Sequence, residues 1–127
     1  MKVPTHAEVL PGAWLPLLLA LSLLGACAPQ TMYHWGKYER SLYSYYKHPD
    51  EIVRFEEALA GVITKGESLG KVPPGLYAEY GYILMQLGED GQAVAYFEKE
   101  KLTWPESSGV MDRMIVAVRD QSSGGAQ

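Results

Sequence analysis

From Trp35 to Val118, apolar and aromatic residues recur mostly in steps of three or four positions. That spacing keeps them on one face of an α-helix, and no stretch shows the strict alternation of a β-strand. The successive stripes are Trp35, Tyr38, Leu42, Tyr45 and Tyr46; Ile52, Phe55, Leu59, Val62 and Ile63; Tyr77, Tyr80, Leu84 and Leu87; Ala93, Val94 and Phe97; and Met111, Met114, Ile115 and Val118. The sequence therefore predicts an all-α fold of about five helices.

Proline and glycine indicate where the first two helices begin and end. His48 precedes Pro49, and the residue before a proline is disfavoured in the helical region, so one helix ends there. Pro49 is well suited to the first position of the next helix. We predict helices over residues 35–47 and 49–65, with Gly66 as the C-terminal cap of the second.

Three further helices are predicted in the second half of the chain. Residues 67–75 are rich in glycine and proline and form a connector. A third helix carries the Tyr77 stripe, residues 88–91 form a turn, and a fourth helix covers about 92–102. Pro105 stops the fourth helix, and the hydroxyl of Ser107 or Ser108 is available to cap a fifth.

One helical hairpin resembles a tetratricopeptide repeat over residues 74–107. The repeat pattern is Trp-x2-Leu-Gly-x2-Tyr, then Ala-x3-Phe, then Pro. The corresponding residues here are Tyr77, Tyr80, Gly81, Leu84, Ala93, Phe97 and Pro105. Gly81 and Ala93 are small where the helices would cross, Phe97 would fill the space between them, and Pro105 would turn the chain. The alternative is a generic helical hairpin.

The resemblance implies tetratricopeptide-like hairpins stacked to leave one shallow concave face. Residues 35–65 are a weaker copy of the hairpin, and the fifth helix would cap the stack. Glu100 stands where the repeat usually has a small buried residue, which argues against close packing with the next helix.

The N-terminal segment has the form of an export signal. Residues 13–24 are apolar but too few to span a bilayer comfortably, and the small residues Gly25 and Ala26 follow. Leu24-Gly25-Ala26-Cys27 resembles a bacterial lipobox, although a lone cysteine in an apolar stretch is often only an inert small side chain. The resemblance implies a signal peptide over residues 1–26, cleavage between Ala26 and Cys27, and acylation of Cys27 with palmitate-type chains. Ala28, in place of the aspartate that favours inner-membrane retention, implies the outer membrane.

The remaining chain is expected to form one small acidic domain. Lys and Arg number 11 against 15 Asp and Glu, a net charge of −4, and no basic stripe is present, so nucleic acid is not an expected ligand. Acylation of Cys27 would use the only thiol, which argues against disulfides and thiolate metal sites. We assign residues 27–33 to a lipid anchor and tether, 34–120 to the helical domain, and 121–127 to a flexible tail.

The titratable residues do not indicate a catalytic site, a metal or a cofactor. His34 and His48 lie 14 positions apart, and the carboxylates of Glu56, Glu57 and Glu98 are not spaced to converge on a helix. An acid role for one of these three glutamates nevertheless defines the alternative hypothesis of a cell-wall-associated enzyme or small-ligand-binding lipoprotein.

Two tyrosines fall off the apolar stripes and are the candidate partner-binding residues. Tyr43 lies away from the Tyr38 and Tyr45 face, and Tyr82 lies away from the Tyr77 face. Exposed aromatic side chains often anchor protein partners.

The lipobox, the motif Trp35-Gly36-x-Tyr38-Glu39 and the unit from Gly81 to Pro105 together resemble a family of uncharacterised small bacterial lipoproteins, classed as a domain of unknown function. The resemblance implies association with lipoproteins of the CsgG/HfaB export type and with another small lipoprotein. We therefore expect a non-enzymatic adaptor, anchored to the periplasmic face of the outer membrane, in a cell-envelope assembly. A purely structural envelope lipoprotein is a further alternative.

Overall fold

The computed structural model of the protein describes residues 31–124, which contain five α-helices and no β-strand. The helices are α1 (Tyr38–Lys47), α2 (Ile52–Leu69), α3 (Leu76–Gln86), α4 (Asp90–Thr103) and α5 (Ser108–Gly124), with 3-10 turns at Pro49–Glu51 and Pro105–Ser107. This confirms the predicted all-α fold. The predicted signal peptide, the lipidation and cleavage site at Ala26 and Cys27, and the tether up to residue 30 lie outside the described residues.

Consecutive helices run antiparallel, as contacts between α2 and α3 demonstrate. The Tyr80 hydroxyl, about one turn further along α3 than Tyr77, donates a hydrogen bond to Glu56 near the start of α2. The Tyr77 hydroxyl near the start of α3 donates to Glu67 near the end of α2, at 3.0 Å. Because each connection reverses direction, α1, α3 and α5 run the same way and α2 and α4 run opposite to them.

The last helix is bound to α4 at both of its ends. Lys101 Nζ lies 2.5 Å from Asp112 Oδ1, and the Ser122 hydroxyl donates to Asp90 Oδ2 at 2.5 Å. The Ser122 contact lies within the segment predicted to be a flexible tail. In the structure α5 continues as helix to Gly124.

The hydrophobic core is one cluster that draws on α2, α3, α4 and α5. Its buried members are Phe55, Leu59, Val62, Ile63, Leu76, Tyr77, Tyr80, Ile83, Leu84, Ala93, Phe97, Met111, Ile115 and Val118. The first helix, α1, adds only the half-buried Tyr38 and Tyr45. The Tyr45 ring stacks on Phe55 with centroids 4.8 Å apart, which attaches α1 to the cluster.

The prediction that Gly66 ends the second helix was wrong. The helix runs on to Leu69, and Gly70, with φ of 63°, occupies the left-handed position at which helices commonly end. Gly66 is buried inside the helix because the chain folds back over it: a Cβ there would lie 3.1 Å from Val72 Cγ2. A glycine required for close packing thus resembled, in the sequence, a glycine required for a cap.

The first helix begins at Tyr38 rather than at Trp35, because Gly36 adopts a positive φ of 49° and interrupts the helical course. Pro49 opens a 3-10 turn, so α2 begins at Ile52.

Two predictions about the later helices also differ from the structure. The fourth helix starts two residues early, at Asp90. The Ser107 and Ser108 hydroxyls donate to the carbonyls of Trp104 and Pro105 instead of accepting from the first turn of α5, so neither caps that helix as predicted.

Candidate functional site

The repeat-like residues meet in the hairpin of α3 and α4. Tyr77, Tyr80, Gly81, Leu84, Ala93 and Phe97 are all buried there, whereas Pro105 is exposed and opens the turn that follows α4. A Cβ on Gly81 would lie 2.7 Å from Phe97 Cε1 and 3.1 Å from the Ala93 carbonyl oxygen. Glycine at this position therefore permits the two helices to approach as closely as they do.

Tyrosine–glutamate hydrogen bonds join α3 to α2. Tyr77 and Tyr80 contribute their hydroxyls, and Glu67 and Glu56 accept them. Burial, followed by the bonded carboxylate, raises the pKa of both phenols well above the usual range, so both remain neutral donors. The partners lie 10 and 24 residues apart in sequence, and no local spacing signalled either pair.

A third pair joins α1 to α3. The Tyr38 hydroxyl is hydrogen-bonded to the half-buried Glu79 carboxylate, and burial is the main cause of a raised pKa in both groups. Because α1 and α3 run in the same direction, this bond sets their register along one side of the molecule.

Glu100 is the buried charged side chain of the core, with 1% of its surface exposed. Its position in the repeat suggested that it would disturb the packing of the next helix, and it does not. Instead its Oε1 accepts a hydrogen bond from the Gly75 amide, at 2.8 Å. Gly75 is the N-cap of α3 and has no side chain to bind the amides of the first turn. Glu100 provides that cap from a neighbouring helix.

The surroundings of Glu100 act on its protonation in opposite directions. Burial raises the pKa of its carboxyl, and the amides of Gly75, Ala78 and Tyr77 offset part of that rise. The charge of Glu106 adds to the increase. The net effect is a raised pKa, since the cost of desolvation outweighs the stabilisation by backbone N–H groups.

The outward side of α1 carries the most prominent aromatic surface, which we call the aromatic face and define as Leu42, Tyr43 and Tyr46. Tyr43 is 63% exposed and Tyr46 is 76% exposed. Lys47 Nζ lies 5.7 Å from the Tyr43 ring centroid and 5.9 Å from that of Tyr46, within cation–π range of both. The face combines aromatic area with one positive charge.

The aromatic face corrects part of the predicted core. Trp35, Leu42 and Tyr46 were assigned to the packed stripe of the first helix, and all three are exposed. The reason is the place of α1 at one edge of the stack, where the helix is covered on one side only. Tyr38 and Tyr45 are sufficient to fill that side.

Tyr82 lies on α3, the helix that the Tyr38–Glu79 bond joins to α1. It lies one turn beyond Glu79 on α3, and Leu42 lies one turn beyond Tyr38 on α1, with both helices running in the same direction. Both side chains are exposed. The Tyr38–Glu79 bond therefore shows that the two candidate residues, Tyr43 and Tyr82, lie on helices that touch each other.

Glu56, Glu57 and Glu98, the candidate acids of the enzyme hypothesis, lie in three different environments. Glu56 accepts the Tyr80 hydroxyl, and Glu98 Oε2 lies 3.1 Å from Lys101 Nζ. Glu57 borders a shallow hollow together with His34. Within residues 31–124, no group of three or more histidine, cysteine, aspartate or glutamate side chains is placed to hold a metal ion. Nor, in the same residues, is any helix both long and apolar enough to cross a membrane.

Comparison with known proteins identifies one sequence family. Residues 32–114, well over half of the chain, match the family described as Domain of unknown function (DUF4810). The match covers α1 to α4 and the first part of α5. No curated protein and no solved structure matches the chain. The chain belongs to the DUF4810 family.

Proposed function

We propose that the protein is a lipoprotein of the outer membrane, anchored at its periplasmic face, which acts as a non-enzymatic adaptor in a cell-envelope assembly. The acyl chains on Cys27 hold it to the bilayer, and the aromatic face binds a protein partner, with the exposed Tyr82 on α3 as a second contact. The observation that carries the proposal is the one-sided first helix, which leaves two large aromatic rings and Leu42 in solvent.

The chemistry of the aromatic face suits a protein partner. Tyrosine contributes large contact area with few rotatable bonds, and interface hot spots are enriched in it. Lys47 between the two rings adds a charge that favours an acidic group on the partner. The family resemblance suggests a CsgG/HfaB-type lipoprotein as that partner. Confinement of both proteins to one membrane raises their effective concentration, so a modest contact is sufficient.

The anchor is tested by mass spectrometry of the mature N-terminus. We expect a chain that begins at an acylated Cys27, and we expect Cys27→Ser to release the protein from the membrane fraction. An unmodified chain that retains residues 1–26 would contradict the anchor.

The adaptor role is tested by crosslinking in intact cells, followed by identification of the captured chain. Tyr43→Ala combined with Tyr46→Ala should reduce capture about 30-fold, as loss of a 2 kcal/mol hot spot predicts. Val116→Ala, an exposed apolar residue on α5, is the matched control and should leave capture unchanged. Equal capture by all three proteins would show that the aromatic face is not the binding surface.

A further inference from the structure

The described chain begins at one end of the helical stack and is held there by two contacts. The Tyr33 ring meets the Trp104 ring edge-on, with centroids 6.0 Å apart. The His34 amide donates to the Lys71 carbonyl oxygen at 2.7 Å. Trp104 follows the last residue of α4, and Lys71 lies just beyond the end of α2. The N-terminal residues are therefore attached to the end of the molecule at which α2 and α4 finish.

Three exposed apolar residues lie next in sequence to residues at this point of attachment. A hollow of about 450 Å³ lies here. Its lining includes Tyr33, Gly70, Thr103 and Trp104. Met32, Leu69 and Leu102 are each the chain neighbour of one of these residues, so their Cα atoms lie about 3.8 Å from it. Leu102 is 84% exposed and Met32 is 75% exposed. We call Met32, Leu69 and Leu102 the proximal patch.

The length of chain before the patch limits what can lie opposite it. Cys27 precedes Met32 by five residues, which span at most about 17 Å when fully extended. A lipid on Cys27 therefore keeps Met32 within that distance of the bilayer surface. The attachment at Tyr33 and His34 makes this end of the stack the part of the helical domain that lies nearest to the anchor.

We propose that the proximal patch lies against the bilayer that holds the Cys27 lipid. Apolar side chains bordered by a tyrosine–tryptophan pair suit the boundary between headgroups and acyl chains. This inference rests on the proposed lipid anchor and adds an orientation to it. Since α1 runs away from this end, Tyr43 and Tyr46 lie further from the membrane than the start of α1, where a partner has access to them.

The orientation is tested with a fluorescent probe in the acylated protein, in which an engineered cysteine is the only free thiol. Leu102→Cys carries the environment-sensitive label NBD at the proximal patch. Gln86→Cys, at the exposed far end of α3, is the matched control; it lies about 15 Å further from the patch along an 11-residue helix. Each protein is reconstituted into vesicles of phosphatidylethanolamine and phosphatidylglycerol that contain spin-labelled lipid.

We expect lipid quenching at position 102 to exceed that at position 86 at least threefold, and Leu69→Cys to behave like Leu102→Cys. Equal quenching at both ends, with an acylated Cys27 and protein that floats with the vesicles, would overturn the orientation and leave the anchor intact. A blue-shifted but unquenched probe at position 102 would mean that protein covers the patch, which also overturns it. An unacylated protein that does not float would overturn both proposals.

Discussion

Replacement of Glu100 provides the sharpest test of how this fold is held together. Glu100→Ala removes the acceptor for the Gly75 amide in a site that excludes water. A buried hydrogen bond to a charged group contributes about 1.5–3 kcal/mol. The one buried methylene that is lost, Cγ, adds about 0.8 kcal/mol. We expect the free energy of unfolding to fall by about 2–4 kcal/mol, which corresponds to a decrease in Tm of about 15 °C for a domain of this size.

Glu100→Gln separates the hydrogen bond from the charge. The amide side chain fills nearly the same volume and offers an oxygen to the Gly75 N–H group. We expect it to cost less than about 1 kcal/mol near pH 7, because loss of the charge also removes a desolvation penalty. Urea unfolding of the wild type and both variants measures the difference. If the alanine and glutamine variants have free energies of unfolding within about 0.5 kcal/mol of each other, the hydrogen bond from Gly75 does not support α3.

The pH dependence gives an independent check on Glu100. Its pKa is raised in the folded state, so the folded protein binds more protons than the unfolded chain above about pH 4.3, the ordinary value for glutamate. The contribution of this group to stability is therefore greatest at low pH and is lost as pH rises through the folded-state pKa. Relative to Glu100→Gln, the wild type should lose stability as pH rises above about 4.3. Parallel stability profiles would refute the shift.

Two further substitutions test the packing around α3. Gly81→Ala should destabilise the protein by about 1–3 kcal/mol in urea unfolding, because the new Cβ meets the buried Phe97 ring. Gly61→Ala is the control, because nothing lies within 4 Å of a Cβ at that helical position, and it should stabilise the protein by about 0.5–1 kcal/mol. If the two glycine substitutions changed the free energy of unfolding equally, the close crossing of α3 and α4 would be contradicted. Tyr80→Phe should cost about 1–2 kcal/mol by leaving the Glu56 carboxylate without its donor, and an unchanged Tm would show the bond to be dispensable.

The hairpin of α3 and α4 was the part of the fold most accessible to sequence reasoning. Gly81, Ala93 and Phe97 have roles that depend on their own size and on a spacing within one supersecondary unit. Features of this kind can be predicted from one sequence.

The helix boundaries were harder to predict. Gly66 and Gly70 are the same residue type, and only the position of Val72 in the fold distinguishes the packing glycine from the capping glycine.

The sequence predicted only part of the candidate site. Tyr43 and Tyr82 were singled out because they fall off the apolar stripes, and both side chains are exposed. Tyr46 was missed, since it shares the helical stripe of Tyr38 and Tyr45. Periodicity identifies an apolar face, but it does not say how much of that face a neighbouring helix will cover.

The amino-acid sequence by itself determined the helical class, the number of helices and the residues of the central crossing, because each depends on local periodicity, breakers and side-chain volume. Only the tertiary structure decided that Glu100 caps α3 by accepting from an amide 25 residues earlier in the chain, that tyrosine–glutamate bonds join α3 to two other helices, and that α1 keeps an aromatic face in solvent. These features depend on which groups meet across the fold, and distance along the chain carries no information about that.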